Sequence, residues 1–344
     1  MDADKQTIDF VLPWVDGNDK VWLAEKCKYQ QSETNLSCDS ESYSDCRFRD
    51  IGLLKYWFRS VERFAPWVNR VFFVTCGQKP DWLNESHPKL RLVHHRDYIP
   101  AEYLPTFQSN TIELNLHRIA DLSEHFVLFN DDTFLMQPVK PEFFFKKGLP
   151  VLPCDLGIPD WLGNSIASRV VINNCGVLKR GLDVNRLIRK NIWKFVDVGE
   201  LGFVRAAKNF VSFSVNRCFI PGTFGHLPQS HLKSTFDEIW HKVPVFMDIS
   251  SRSRFRNDSS VNQWLACAWN MVSGRFYPAN EQKRGIFISI DTDDLDKKCD
   301  MIRKQMFPLI AVNDRKIIPE LEQCFLETAK AFDQVLSEKS SFEK

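Results

Sequence analysis

Short apolar runs separated by helix-period stretches dominate the first 150 residues of the chain. Ile8 to Val15 (IDFVLPWV) reads as a buried strand, closed by the turn cluster Asp16-Gly17-Asn18-Asp19. Asp50 to Phe64 carries apolar residues at 51, 54, 58 and 61, the spacing of a helix. Asn69 to Thr75 and Leu90 to His94 read as two more strands, and a helix over Asn110 to Leu122 precedes a fourth, Phe126 to Asn130 (FVLFN). This alternation predicts an α/β fold with a doubly wound, largely parallel sheet, whose ligand should lie beyond the carboxyl ends of the strands.

The pattern is less regular after about Pro150. Helical stretches are expected near Asn185–Phe195 and Leu232–Trp240, a strand over Ile286–Ile290, and an amphipathic helix over Pro319–Leu336. That helix is expected to dock on its own domain rather than on a membrane. The polar, serine-rich stretch at 28–47 reads as a loop insertion. The chain is therefore expected to be one domain, with residues 1–150 as an α/β half and 151–344 as a more helical half contributing to the same site.

Composition narrows the function mainly by exclusion. Lys+Arg of 45 against Asp+Glu of 44 gives no global field for nucleic acid. The 10 cysteines are scattered, without the paired spacing of a zinc site, and read as reduced thiols. No signal-peptide pattern opens the sequence and no apolar run reaches the roughly 18 residues of a membrane span, so a cytoplasmic protein, peripheral at most to the membrane, is expected. No Gly-rich dinucleotide loop, Walker loop or nucleophile elbow is present.

Candidate chemistry lies at strand ends. Asp131 and Asp132 follow the FVLFN run, where two adjacent carboxylates can converge because the strand gives way to a turn. They suit a divalent cation, or equally a capped and solvated turn. Glu113 stands four residues before His117, which puts both on one helix face, although Asn110 and Glu113 also fit a capping box. Further on come His226, His231 and the arginines at 252, 254 and 256; Asp291 follows the IFISI run as a second carboxylate after a strand.

Four separated segments resemble the Stealth family, which includes bacterial capsular and cell-wall polysaccharide phosphotransferases and the catalytic subunit of the eukaryotic N-acetylglucosamine-1-phosphotransferase. They are IDFVLPWVDGND at 8–19, the long stretch from Arg49 to Leu135, the pair GHLPQSHLKSTFDEIW at 225–240 and RFRNDSSVNQ at 254–263, and IFISIDTDD at 286–294. The resemblance implies transfer of a hexose-1-phosphate or N-acetylhexosamine-1-phosphate from a UDP-sugar to a saccharide hydroxyl, giving a phosphodiester and UMP. A glycosyltransferase releasing UDP and a non-catalytic carbohydrate-binding protein are the alternatives, and a lipid-linked acceptor at the membrane face is left open. The resemblance also implies roles for particular residues: Glu113, Asp132, His226 and Arg256 in catalysis; Trp14, Asp16, Gly17, Arg49 and Asn130 around the nucleotide; and Asp131, Asp132 and Asp291 on Mg²⁺ or Mn²⁺. In one place the chain departs from the family pattern. An acidic residue is expected one position before Val261, where this sequence has Ser260, with Asp258 close by.

Overall fold

The computed structural model describes residues 7–32, 48, 51–156, 166–216, 224–314 and 319–344. Arg49 and residues 33–47 of the expected insertion lie outside the described residues, while residues 28–32 are the last turn of a helix, Lys20–Ser32, rather than loop.

Among the described residues eleven strands build three sheets: β1 (Ile8–Pro13), β2 (Val71–Thr75), β3 (Leu90–His94), β4 (His125–Leu128), β5 (Thr133–Leu135), β6 (Phe145–Lys146), β7 (Leu149–Pro153), β8 (Gln229–Leu232), β9 (Tyr277–Ala279), β10 (Gly285–Ser289) and β11 (Leu309–Asn313). The main sheet has the order β3-β2-β1-β4-β8. Its first four strands are parallel, and β8 closes the edge antiparallel to β4. This is the expected largely parallel α/β sheet, with an edge strand supplied by the second half of the chain.

The central strands read as continuous apolar runs because both faces of the sheet are covered. Phe10 and Leu12 of β1, Val71 and Phe73 of β2 and Val127 of β4 face one core, together with the helices Leu54–Phe64 and Leu321–Val335. The alternate residues Val11, Phe72, Val74, Phe126 and Leu128 face a second core, covered by the helix Trp264–Val272 and its neighbours. A second sheet, β10-β11-β5, joins the first through the chain itself, since β4 passes into β5 across residues 129–132. The third, β6-β7-β9, absorbs the Phe143–Lys147 stretch, with Phe144 and Phe145 buried.

The last helix docks inward, as expected from its pattern. Phe332 stacks on Tyr56 at 5.6 Å and meets Phe134 at 4.6 Å. The tail beyond it is clamped by Arg59, whose guanidinium donates to both carboxylate oxygens of Glu343 at 2.8 and 2.9 Å and to the Leu336 carbonyl at 2.8 Å. Both side chains are almost fully buried. No helix among the described residues is long and apolar enough to cross a membrane, and the described cysteines form no disulfide.

The expected helix Asn110–Leu122 is shorter. It runs Ser109–Leu114, breaks at Asn115 and resumes as one 3-10 turn, Leu116–Arg118. The buried Asn115 amide donates to the Thr111 carbonyl at 2.8 Å and to the Ser251 hydroxyl at 3.2 Å, fixing the break from the side.

Removing one partner of a buried ion pair leaves the other charge uncompensated. Arg59→Met should therefore destabilise the fold by about 3 kcal/mol, read from urea unfolding at neutral pH. Burial tends to raise the Glu343 carboxyl, but the Arg59 and Ser340 hydrogen bonds hold it below its ordinary value. A depressed carboxylate contributes above its unfolded value and loses that contribution as pH falls through its folded one. The gap between wild type and variant should thus narrow in acid. A gap equal at pH 7 and pH 3 would mean the pair contributes nothing.

Candidate active site

Asp131 and Asp132 sit where the chain leaves the main sheet and enters the second, at the carboxyl end of β4. Thr133 locks the turn, donating through both its backbone N–H and its hydroxyl to the Asn130 carbonyl. The Asp132 carbonyl accepts from the Val312 N–H at 2.8 Å, fastening the turn to β11. Its carboxylate is buried, and Oδ2 accepts from His226 Nε2 at 2.8 Å and from Asn313 Nδ2 at 2.6 Å. The other oxygen, Oδ1, is buried with no hydrogen-bond partner. A buried unsatisfied carboxylate oxygen costs free energy unless something absent from the bare chain engages it.

His226 lies half-buried beside Asn130, at 3.4 Å from its amide. Burial would lower its imidazole pKa, but the Asp132 ion pair and the Asp131 charge outweigh this, and the net shift is upward. A second network faces it. Arg256 Nη2 donates to Ser109 Oγ at 2.8 Å, and Ser109 in turn hydrogen-bonds the Glu113 carboxylate, which also accepts from the Gln263 N–H. Burial pushes the Glu113 carboxyl above its ordinary value, against the Arg256 charge and these hydrogen bonds. Glu113 therefore does not form a capping box with Asn110.

All these groups open onto one cavity of about 450 Å³. Trp14, Asn130, Asp131, Asp132, Glu113, His226 and Arg256 line it, as does Asn313. Aromatic wall comes from Trp22, Phe48, Phe107 and Trp264. Such a volume, with convergent polar groups on an apolar wall, is that of a small-molecule site.

Several expected site residues are placed elsewhere. His117 does not share a face with Glu113, because the helix breaks between them; it packs against Phe236 and Trp240. His231 is buried on β8. Burial drives both of these histidines down to about 3, so they are neutral. Asp291 does not line the cavity. It pairs with Lys298, whose hydrogen bond holds its carboxyl below the ordinary range. Asp16 and Gly17 lie in the turn after β1 outside the lining: Asp16 Oδ1 accepts from the Asn18 N–H at 2.9 Å, and a Cβ on Gly17 would sit 1.9 Å from the Phe48 carbonyl oxygen. Asp258 does not replace the missing acidic residue in the cavity, since it pairs with Arg169 at the surface, while Ser260 is buried against Asn257. Arg256 is the arginine of its run that lines the cavity; Arg252 pairs with Asp248, and Arg254 lies over the Tyr29 ring.

Ser109, Asn313 and His95 are site residues that the sequence pattern did not single out. His95 lines the cavity, and burial lowers it to about 4. Ser109 had a signal, lying inside the long matched segment and four residues before Glu113. Asn313 had none, because it ends a strand without any chemical motif.

A divalent cation was expected from the sequence. Among the described residues no group of three or more acidic, histidine or cysteine side chains is gathered to hold one. The unsatisfied Asp132 Oδ1 with Asp131 beside it nevertheless fits Mg²⁺ or Mn²⁺, since such ions take one or two carboxylates and complete their shell with water and substrate phosphates.

Comparison with known proteins bears on the family. Residues 6–32 match Stealth protein conserved region 1, and residues 47–151 match conserved region 2. The chain is 38% identical over 342 residues to the capsular polysaccharide phosphotransferase WcwK of Streptococcus pneumoniae, covering 98% of this chain and 99% of that one. It is 38% identical over 340 residues to the receptor polysaccharide phosphotransferase WefC of Streptococcus oralis, covering 98% and 99%. A structural likeness to the galactosyltransferase LgtC covers 97% of this chain and 96% of that one, with a TM-score of 0.41 and 11% identity. Identity at this level over nearly the whole length places this chain in the Stealth family.

Proposed function

We propose that this chain transfers a hexose-1-phosphate or N-acetylhexosamine-1-phosphate from a UDP-sugar to a saccharide hydroxyl in the synthesis of capsule or another cell-surface polysaccharide. The observation that carries the reading is the Asp132–His226 pair, with its unsatisfied carboxylate oxygen, facing Arg256 across a single cavity. Relatives named as polysaccharide phosphotransferases support the reaction class.

The acceptor oxygen attacks the phosphorus next to the sugar. The bond from that phosphorus to the bridging oxygen breaks, and UMP leaves with the electron pair. His226 takes the acceptor proton. With Nε2 committed to Asp132, Nδ1 is the ring nitrogen left for this work, and Asp132 stabilises the imidazolium that results. Arg256 meets the transferred phosphate, where a planar guanidinium can engage two oxygens. Ser109 holds that guanidinium from behind and separates it from Glu113. Glu113 is the alternative base. Asp131 and Asp132 would hold Mg²⁺ or Mn²⁺, which offsets negative charge on the pyrophosphate when bound. Trp14, Asn130 and the aromatic wall frame the nucleotide.

Three measurements test this. Incubated with UDP-sugar and saccharide acceptor, the protein should release UMP; release of UDP would replace the reading with a glycosyltransferase, and binding without turnover with a carbohydrate-binding protein. Asp132→Asn, which keeps the side-chain shape, should lower kcat by roughly 10³-fold or more while the chain still folds by circular dichroism, and a variant that keeps its activity but loses stability would make the carboxylate structural. Chelation with EDTA should abolish turnover, with Mg²⁺ or Mn²⁺ restoring it; undiminished turnover after exhaustive chelation would remove the cation from the scheme.

A further inference from the structure

Eleven large apolar side chains are exposed among the described residues, and six of them fall between positions 193 and 211: Trp193, Val198, Phe203, Val204, Phe210 and Val211. Such clustering needs an explanation, because scattered single exposures are ordinary and a concentrated group is not. The helix Phe203–Asn216 shows how it arises. Its Ala206 and Asn209 are buried, and Phe213 packs on the second core. Asn209 anchors it, donating to the Phe195 carbonyl at 2.8 Å and the Cys154 carbonyl at 3.0 Å. On a helical wheel Val204 and Val211 fall on the arc opposite that buried side, and Phe203 and Phe210 lie on the flank between the two. Phe203 and Val204 are 75% and 82% exposed, so this arc faces solvent.

Charge names the occupant. Between residues 179 and 214 there are eight basic residues and three acidic ones; Lys194 is buried on backbone carbonyls and Arg205 and Lys208 pair with Asp155, so the exposed cations of this surface are those of the two preceding helices. Exposed Lys179 and Arg180 end the helix Ile166–Gly181, and exposed Arg186, Arg189 and Lys190 share the helix Val184–Phe195 with exposed Trp193. The Phe195 carbonyl held by Asn209 packs that helix against Phe203–Asn216. Exposed aromatics beside clustered basic side chains are the chemistry of an interfacial helix on an anionic bilayer, with the rings in the acyl boundary and the cations on the headgroups. The C-terminal helix has no comparable face: Leu321, Cys324, Ala331 and Phe332 are buried in the core.

We propose that the surface formed by residues 179–214 docks on an anionic lipid membrane. This assignment goes beyond the reaction and does not depend on which sugar phosphate, if any, is transferred.

The test is sedimentation of the full chain with vesicles of phosphatidylcholine containing about 30% phosphatidylglycerol, against phosphatidylcholine alone. Wild type should pellet with the anionic vesicles and be released by high salt. Phe203→Ser with Phe210→Ser, at exposed positions, should weaken binding about tenfold. Arg189→Gln with Lys190→Gln should remove the preference for anionic lipid while leaving the helices intact by circular dichroism. Wild type that stays in the supernatant, or serine variants that pellet like wild type, would overturn the proposal. So would a wild-type dimer in sedimentation equilibrium that the serine variants dissolve, because a second copy would then be the occupant. No readout here involves turnover, so failure of the proposed reaction and failure of this surface are separate results.

Discussion

The Asp132 carboxylate is the point at which three distant stretches of chain are forced to agree. Its backbone belongs to the turn between the two principal sheets, its Oδ2 takes His226 from a loop 94 residues later, and it also takes Asn313 from the end of a strand 181 residues later. A buried carboxylate that gives up water needs donors in exchange, and the two donors on Oδ2 supply part of that while Oδ1 stays unsatisfied. Their arrival also sets the position of everything attached to them. β11 is held in place by the Val312 hydrogen bond to the same residue, and the His226 loop leads directly into β8, the edge strand that closes the main sheet. The site is thus assembled by the same contacts that join the halves of the chain, which is why residues from both halves line one cavity.

The parts of this arrangement legible in the sequence are those where burial imposes a period. β1, β2 and β4 are covered on both faces, so they appear as apolar runs, and the carboxylates at the end of β4 stand out as the place where such a run stops. β8 was illegible as a strand because Gln-Ser-His-Leu has no apolar signature, although all four residues are buried. Its burial comes from neighbours far away in sequence. The helix after Ser109 was overextended for a related reason. Apolar spacing continues past Asn115, but a side-chain amide competing for the Thr111 carbonyl ends the helix, and periodicity does not register that competition.

Asp291 and Asn313 show where reasoning from strand ends stops. Asp291 follows β10 and Asn313 ends β11; these strands of the second sheet run parallel, so both residues stand at the same end of that sheet. Sequence chemistry favours the aspartate. Sheet order decides otherwise, because β11 lies next to β5 and β10 lies at the far edge. The residue ending the inner strand reaches Asp132, and the one following the outer strand turns to Lys298. Strand order is a long-range property, fixed by antiparallel pairing of β11 with Thr133–Leu135, and no local pattern encodes it.

The two networks across the cavity also differ in what they leave available. Asp132 and His226 are joined directly, so the carboxylate raises the proton affinity of the ring it touches. Arg256 and Glu113 carry opposite charge as well, yet Ser109 stands between them, and a hydroxyl relay binds a guanidinium less tightly than a direct carboxylate fork would. A guanidinium held this way is positioned on the cavity wall, beside the buried Glu113 carboxylate. Ser109 bonds both charged side chains and itself lines the cavity, which is the physical argument for treating it as part of the site rather than as a helix end.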